Sequence, residues 1–240
     1  MFSVSTKSGI HIYNLTNSFY SSYLIEKNNI FCMIDTARKG SFKKILKSLN
    51  KIKPGLSKID YLLLTHTHFD HCENAHRIKK QFHSKIIVGK SEAESLIKGY
   101  QTLPRGTKRI YTILSKAGHK LIKSYFQYEG IEPDLIIDDE YHLHDFGKNT
   151  TIFPTPGHTS GSISLIIDDE IALTGDTMFG VPKNNIYPPF ADYPDMIIEN
   201  WKFFLNTNCQ LFLSGHGKPI TREKLKENYL KIINSVQKTP

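Results

Sequence analysis

The chain is poor in everything that would staple or embed it. Its 240 residues contain three cysteines, Cys32, Cys72 and Cys209, an odd number at unrelated spacings, which excludes a disulfide framework. Cys32 and Cys209 lie in apolar runs and read as small core residues. No apolar run approaches the roughly 18 residues that a membrane-spanning helix needs. Met1–Tyr20 lacks a basic stretch followed by an apolar one, so no export signal is read there and a cytoplasmic protein is expected. Internal repeats, low-complexity tracts and interdomain linkers are missing as well. What is left is a single domain, 1–240, of ordinary composition: 39% hydrophobic and 22% charged, long enough to bury a core unaided.

Acidic residues are also in deficit, 23 against 31 Lys and Arg, for a net charge of +8. Such a balance raises nucleic acid or an anionic surface as a partner. The lysines, however, are spread along helix-like segments (Lys43, Lys44, Lys47, Lys51; Lys224, Lys226, Lys231), which reads as solvated faces. A small-molecule substrate is therefore expected, without nucleic acid or membrane, and a homodimer stays open.

The apolar patterning runs from a meander into alternating strands and helices. Ile10–Leu15, Ser22–Glu26 and Ile30–Ile34 read as strands, with Lys27-Asn28-Asn29 as a hairpin turn. Phe42, Ile45, Leu46, Leu49 and Ile52 share one helical face, with Ser41 as its N-cap. Ile59–Leu64 reads as a strand, Asn74–Phe82 as a helix, Lys85–Val88 as a strand, and Ser91 as the cap of a further helix. Residues 96–133 predict a helical insertion, lying over a site mouth or forming a core helix pair. Strands follow at Leu135–Ile137, Thr150–Phe153, Ser162–Ile167, Ile171–Leu173 and Leu211–Leu213, with helices at Met196–Leu205 and Arg222–Val236.

One stretch does not read as packing. Thr65–His71, Thr-His-Thr-His-Phe-Asp-His, follows a strand and carries four residues able to bind a metal. His66 and His68 alternate on an extended segment and so point the same way, while Asp70 and His71 lie where the chain turns into a helix. A metal site needs ligands from several points of the chain. Three later strand ends offer them beside glycine: Gly157-His158, Gly175-Asp176 and Gly215-His216. Histidine and aspartate suit borderline metals such as zinc. Seven such residues exceed one tetrahedral ion and suit a binuclear site that keeps a position open.

In these residues the chain resembles the metallo-β-lactamase superfamily. The family's His-x-His-x-Asp-His motif is matched by His66, His68, Asp70 and His71. Its later histidine, acidic bridging residue and last histidine are matched, in order, by His158, Asp176 and His216. Asp35, ending an early strand, matches an acidic residue that supports the motif loop. The resemblance spans about residues 10–220. It implies an α/β fold, a four-layer αββα sandwich of two mixed sheets with outer helices. It also implies two divalent ions, zinc first, with iron or manganese open. His66, His68 and His158 would hold one ion, Asp70, His71 and His216 the other, and Asp176 would bridge them.

The implied chemistry is hydrolysis of an ester, thioester or lactone of a small metabolite, with Asp70 as the catalytic proton carrier. Phosphodiester or RNA hydrolysis and an iron-dependent redox reaction at the same ligands stay open as alternatives. Lys183, Tyr187, Tyr111 and Tyr125 are candidate substrate contacts. Cys72, beside a ligand, reads as a reactive thiolate or a packed residue. One departure stands out: Glu73 occupies a place where the family often has glycine, and it would cap the helix or face solvent.

Overall fold

The computed structural model describes residues 2–107, 111–112, 123–181 and 185–236. Seven strands form the first sheet in sequential order: β1 (Ser3–Ser5), β2 (His11–Asn14), β3 (Tyr23–Lys27), β4 (Ile30–Ile34), β5 (Tyr61–Leu63), β6 (Lys85–Gly89) and β7 (Leu135–Ile137). Pairing is antiparallel from β1 to β4 and parallel from β4 to β7. The second sheet has the order β13-β12-β11-β10-β9-β8, built from β8 (Tyr141–His142), β9 (Thr150–Pro154), β10 (Ile163–Ile167), β11 (Ile171–Gly175), β12 (Leu211–Ser214) and β13 (Ile220–Thr221). It too is mixed, because β11 and β12 run parallel while their neighbours run antiparallel.

The strands are apolar on both sides because both sides are covered. Along β4, Cys32 and Ile34 face the second sheet, while Phe31 and Met33 face helices. Along β5 and β6, Leu63 and Ile87 join the layer between the sheets, and Leu62, Ile86 and Val88 the layer under the helices. In the second sheet, Leu165, Ile171, Leu173 and Leu213 point to the shared layer, and Ile166, Ala172 and Phe212 to the far side. This period of two is what a pleated strand imposes.

Helices α1 (Phe42–Ile52), α2 (Phe69–Cys72), α3 (Ala75–Phe82) and α4 (Ala93–Lys98) belong to the first half of the chain, and α5 (Pro194–Asn206) and α6 (Arg222–Val236) to the second. Ile45, Leu49, Ile78, Phe82 and Leu96 cover the first sheet; Ile197, Trp201, Phe204 and Leu225 cover the second. Three apolar layers between four structural layers make an αββα sandwich.

Several local expectations change. Ser41 does occupy the position before α1, but its side chain makes no capping bond, since a 3-10 turn at Lys39–Ser41 leads directly into the helix. A 3-10 turn, Lys90–Glu92, likewise replaces a cap at Ser91, and Glu92 precedes α4. Asn28 and Asn29 form the two-residue hairpin loop with φ of 51° and 63°, the left-handed pair that a type I′ turn requires. Within 96–133, α4 stops at Lys98 before left-handed Gly99, and a 3-10 turn spans Lys123–Phe126; residues 108–110 and 113–122 of the expected insertion lie outside the described residues. No described helix is long and apolar enough to cross a membrane.

Leu165 is fully buried in the layer between the sheets. Leu165→Ala is expected to cost about 2–5 kcal/mol, read as a lower denaturant midpoint at unchanged m-value.

Candidate metal centre

Five chain segments meet at one edge of the sandwich. Asp35 follows β4, the Thr65–His71 loop follows β5, His158 lies between β9 and β10, Asp176 follows β11, and His216 follows β12. The parallel pairs β4–β5 and β11–β12 put their C-terminal ends side by side. This juxtaposition brings residues distant in sequence together.

Asp35 organises the loop after β5. Its Oδ1 accepts from the Thr65 amide at 2.8 Å, and its Oδ2 from the Thr65 hydroxyl and from His71 Nδ1, each at 2.8 Å. Asp35 is buried with φ of 52°, a left-handed conformation that costs a non-glycine residue about 1–2 kcal/mol. Three accepted bonds offset that strain. Trp201 anchors the opposite side, its indole N–H donating to the carbonyl of Thr177 beside Asp176 at 2.8 Å. At Gly215, a Cβ would lie 2.4 Å from His71 Cε1 and 2.6 Å from Asp176 Oδ1, so only glycine lets the His216 loop come this close.

Two histidines have tautomers set by carbonyl oxygens, which only accept. His68 Nε2 donates to Thr102 O at 3.0 Å, and His158 Nδ1 donates to Phe190 O at 2.8 Å. Their remaining nitrogens, His68 Nδ1 and His158 Nε2, then present lone pairs to each other at 2.9 Å. That approach is favourable only with a cation or a proton between them. His66 Nε2 is buried without a hydrogen-bond partner among the described residues. His71, its Nδ1 held by Asp35, turns Nε2 toward His216 Nε2 at 3.3 Å and Asp176 Oδ1 at 3.4 Å.

The donor atoms of His66, His68 and His158 all lie within 4.8 Å of one another, as do those of His66, His71 and Asp176, and those of Asp70, His71 and His216. Imidazole and carboxylate donors in overlapping sets, all buried except the partly exposed Asp70, fit divalent cations such as zinc, iron or manganese. All seven residues singled out in the sequence are thus brought together.

The electrostatics of His66, His68 and His158 agree with ligation. Burial pushes His66 and His68 well below the usual imidazole value, and neighbouring imidazoles push further. His158 is also lowered by burial, against the pull of Asp176. These rings keep their lone pairs available. Burial acts against the His71 cation as well, but Asp176 and Asp35 outweigh it and hold His71 well above that value. Burial would raise Asp176; His216, His71 and His158 overcome it and hold the carboxyl well below the usual range.

The candidate substrate contacts separate. Tyr111 packs at 5.6 Å against Phe190, whose carbonyl orients His158. Tyr125 accepts a hydrogen bond from Arg38 at 2.7 Å and sits 5.6 Å from Phe69 in the motif. Tyr187 instead donates to Pro194 O and packs edge-on against Trp201, so its side chain is engaged with α5. Lys183 lies outside the described residues. Cys72 is a packed residue: its thiol donates to the carbonyls of Thr67 and His68, and burial holds it well above its usual pKa. Glu73 stands at the C-cap of α2, its amide donating to Phe69 O at 3.1 Å, and its carboxylate accepts from Arg38 Nε at 2.8 Å and from the Lys39 amide at 2.6 Å.

Sequence reasoning missed the aromatic rim. Phe179 stacks on His216 at 4.5 Å, and Phe19 and Tyr20 contact the same ring at 5.0 and 5.5 Å. It also missed Thr102 and Phe190, which act through backbone carbonyls and carry no side-chain signal.

Comparison with known proteins places these observations. Residues 15–208 match the model of the metallo-beta-lactamase superfamily. A probable metallo-hydrolase of Methanocaldococcus jannaschii is 34% identical over 160 residues, covering 66% of this chain and 67% of that protein. A hydroxyacylglutathione hydrolase of Pelagibacter ubique is 23% identical over 180 residues, covering 74% of this chain and 59% of that protein. Among solved structures, an archaeal metallo-beta-lactamase superfamily protein from Sulfolobus tokodaii superposes with a TM-score of 0.60 at 21% identity, covering 92% of this chain and 86% of that one.

The shifted histidines make the metal-free protein acid-sensitive. For His66, His68 and His158 the folded value lies below the unfolded one, near 6.5, so their contribution is complete above that pH and lost as the pH falls beneath it. His71 acts oppositely, its stabilisation being complete below 6.5 and lost as the pH rises through its raised value. Three groups oppose one. The thermal midpoint of metal-free protein is therefore expected to fall between about pH 6.5 and 5; a rise over that interval would contradict these assignments.

Proposed function

This chain belongs to the metallo-beta-lactamase superfamily and is a metal-dependent hydrolase, and from that premise we propose that it holds two divalent ions, zinc first, and cleaves an ester, thioester or lactone of a small metabolite. The placement of Asp176 carries the two-ion reading. Its Oδ1 is 3.4 Å from His71 Nε2, and its Oδ2 is 3.5 Å from His158 Nε2 and 3.2 Å from His216 Nε2. One carboxylate thus faces imidazoles from both donor sets, as a bridging ligand must. His66, His68 and His158 would hold one ion, and Asp70, His71 and His216 the other. Ions bound there would supply Lewis acidity and make water acidic enough to ionise near neutral pH.

The chain's own groups do the remaining work. Asp70 Oδ2 lies 3.6 Å from His216 Nε2, with 15% of the side chain exposed, so this carboxylate is both at the ligands and reachable from the mouth. It is placed to accept a proton from the attacking water and return it to the leaving group. Phe19, Tyr20 and Phe179 around His216 keep bulk water off that side and offer apolar faces to an acyl or alcohol portion. Arg38 reaches the neighbouring Phe69 and Tyr125 rings but is already paired with Glu73. That pairing suits an uncharged scissile group better than a phosphodiester. The similarity to a hydroxyacylglutathione hydrolase supports the same choice.

The test is metal analysis of protein from unsupplemented medium, followed by a panel of thioester, lactone, aryl ester and bis-aryl phosphate substrates. Turnover on the first three is expected. Turnover confined to the phosphate would set the ester reading aside, and substantial iron with oxygen consumption would replace it. Asp176→Ala is expected to lose metal and activity together, by more than the roughly 10–100-fold typical of residues behind the ligands. Retention of two ions by that variant would mean the bridging role is misplaced.

A further inference from the structure

Asp35 is not the only buried carboxylate on the ligand loop. Glu92, in the 3-10 turn after β6, is fully buried, and its Oε2 accepts from the Thr67 amide at 2.8 Å and the Thr67 hydroxyl at 2.5 Å. Thr67 stands between His66 and His68, as Thr65 stands before them. Each threonine therefore has its amide and hydroxyl held by a carboxylate from another part of the first sheet: Thr65 by Asp35 and Thr67 by Glu92.

Glu92 also touches the other loop that supplies this donor set. A Cβ at Gly161 would lie 2.7 Å from Glu92 Cγ, 2.8 Å from its amide nitrogen and 3.1 Å from Oε1. Gly161 is three residues after His158, in the loop that crosses from the second sheet. Glu92 Oε1 is buried against this loop with no hydrogen-bond partner among the described residues. A carboxylate in such a place has a desolvation cost, which the two bonds from Thr67 and a longer one from Gln101 Nε2 at 3.4 Å to Oε2 offset. Asp35, by contrast, bonds His71 directly. The two carboxylates thus brace different parts of the centre.

We propose that Glu92 is a positioning residue for the His66, His68 and His158 donor set, fixing the motif backbone through Thr67 and the His158 loop through its packing on Gly161. The proposal rests on the two-ion reading, since it assigns Glu92 to one ion's ligands and not the other's. Both Thr67 bonds go to a single oxygen, so glutamine can reproduce them with its carbonyl, whereas alanine removes both.

The experiment is zinc titration of metal-free wild type, Glu92→Ala and Glu92→Gln against a competing chromophoric chelator, with thermal midpoints of the metal-free proteins measured alongside. Glu92→Ala is expected to weaken one zinc site about 10–100-fold and to leave the other near wild type, and Glu92→Gln to recover most of the loss. Unchanged affinity in Glu92→Ala, equal weakening of both sites, or no recovery in Glu92→Gln would overturn the assignment. If Glu92→Ala does not fold, Thr67→Val removes the hydroxyl bond while keeping the amide bond, and the same site-selective weakening is required of it. The wild-type count is a separate reading: one zinc per chain would defeat the two-ion centre, while the ratio of variant to wild-type affinity would still judge Glu92.

Discussion

The Asp35 carboxylate accepts hydrogen bonds from the Thr65 amide, the Thr65 hydroxyl and the His71 imidazole, and it does so from a left-handed backbone position at the end of β4. Much of the site depends on this junction. Without it, His71 would lose the bond that turns Nε2 toward Asp176 and His216, and the tie between the loop and the end of β4 would fall to the Thr36 amide and hydroxyl on the His71 carbonyl. A strained, buried, charged residue is an expensive way to hold a loop. It persists because the two parallel strands beside it, packed between apolar layers, leave the loop little alternative.

The same edge collects groups that would repel or be costly if left alone. His68 and His158 present lone pairs to each other across 2.9 Å, and His66 Nε2 is buried without a hydrogen-bond partner among the described residues. Each feature is unfavourable in a purely structural cluster and sensible in one built for cations. The apolar layers around the site supply the rigidity that keeps such donors from relaxing apart. The fold thus spends stability where the chemistry needs geometry, as functional sites commonly do.

Much of this was legible in the sequence, for identifiable reasons. Ile30–Ile34 is apolar throughout, and Ile163–Ile167 apolar but for buried Ser164, because both faces are buried, and α1 shows its single buried face by spacing. β1, β8 and β13 span only three, two and two residues, too few for a period to register, and the last two are second-sheet edges defined by pairing. Ser41 and Ser91 carried the chemistry of caps but met 3-10 turns instead. The seven metal-type residues stood out because each follows a strand, several beside glycine. The rim of Phe19, Tyr20 and Phe179 did not stand out, because aromatic residues at unrelated positions become a surface only after the sheets converge on His216. Glu92 was hidden for a similar reason: its partner, Thr67, lies 25 residues away.

The central claim is that the seven donor residues hold two ions with Asp176 between them. Anomalous diffraction at the zinc edge, from crystals of the zinc-loaded protein, addresses it directly. Two peaks about 3.5–4 Å apart are expected, one among His66, His68 and His158 and the other among Asp70, His71 and His216. A single peak, or peaks away from these residues, would contradict the account.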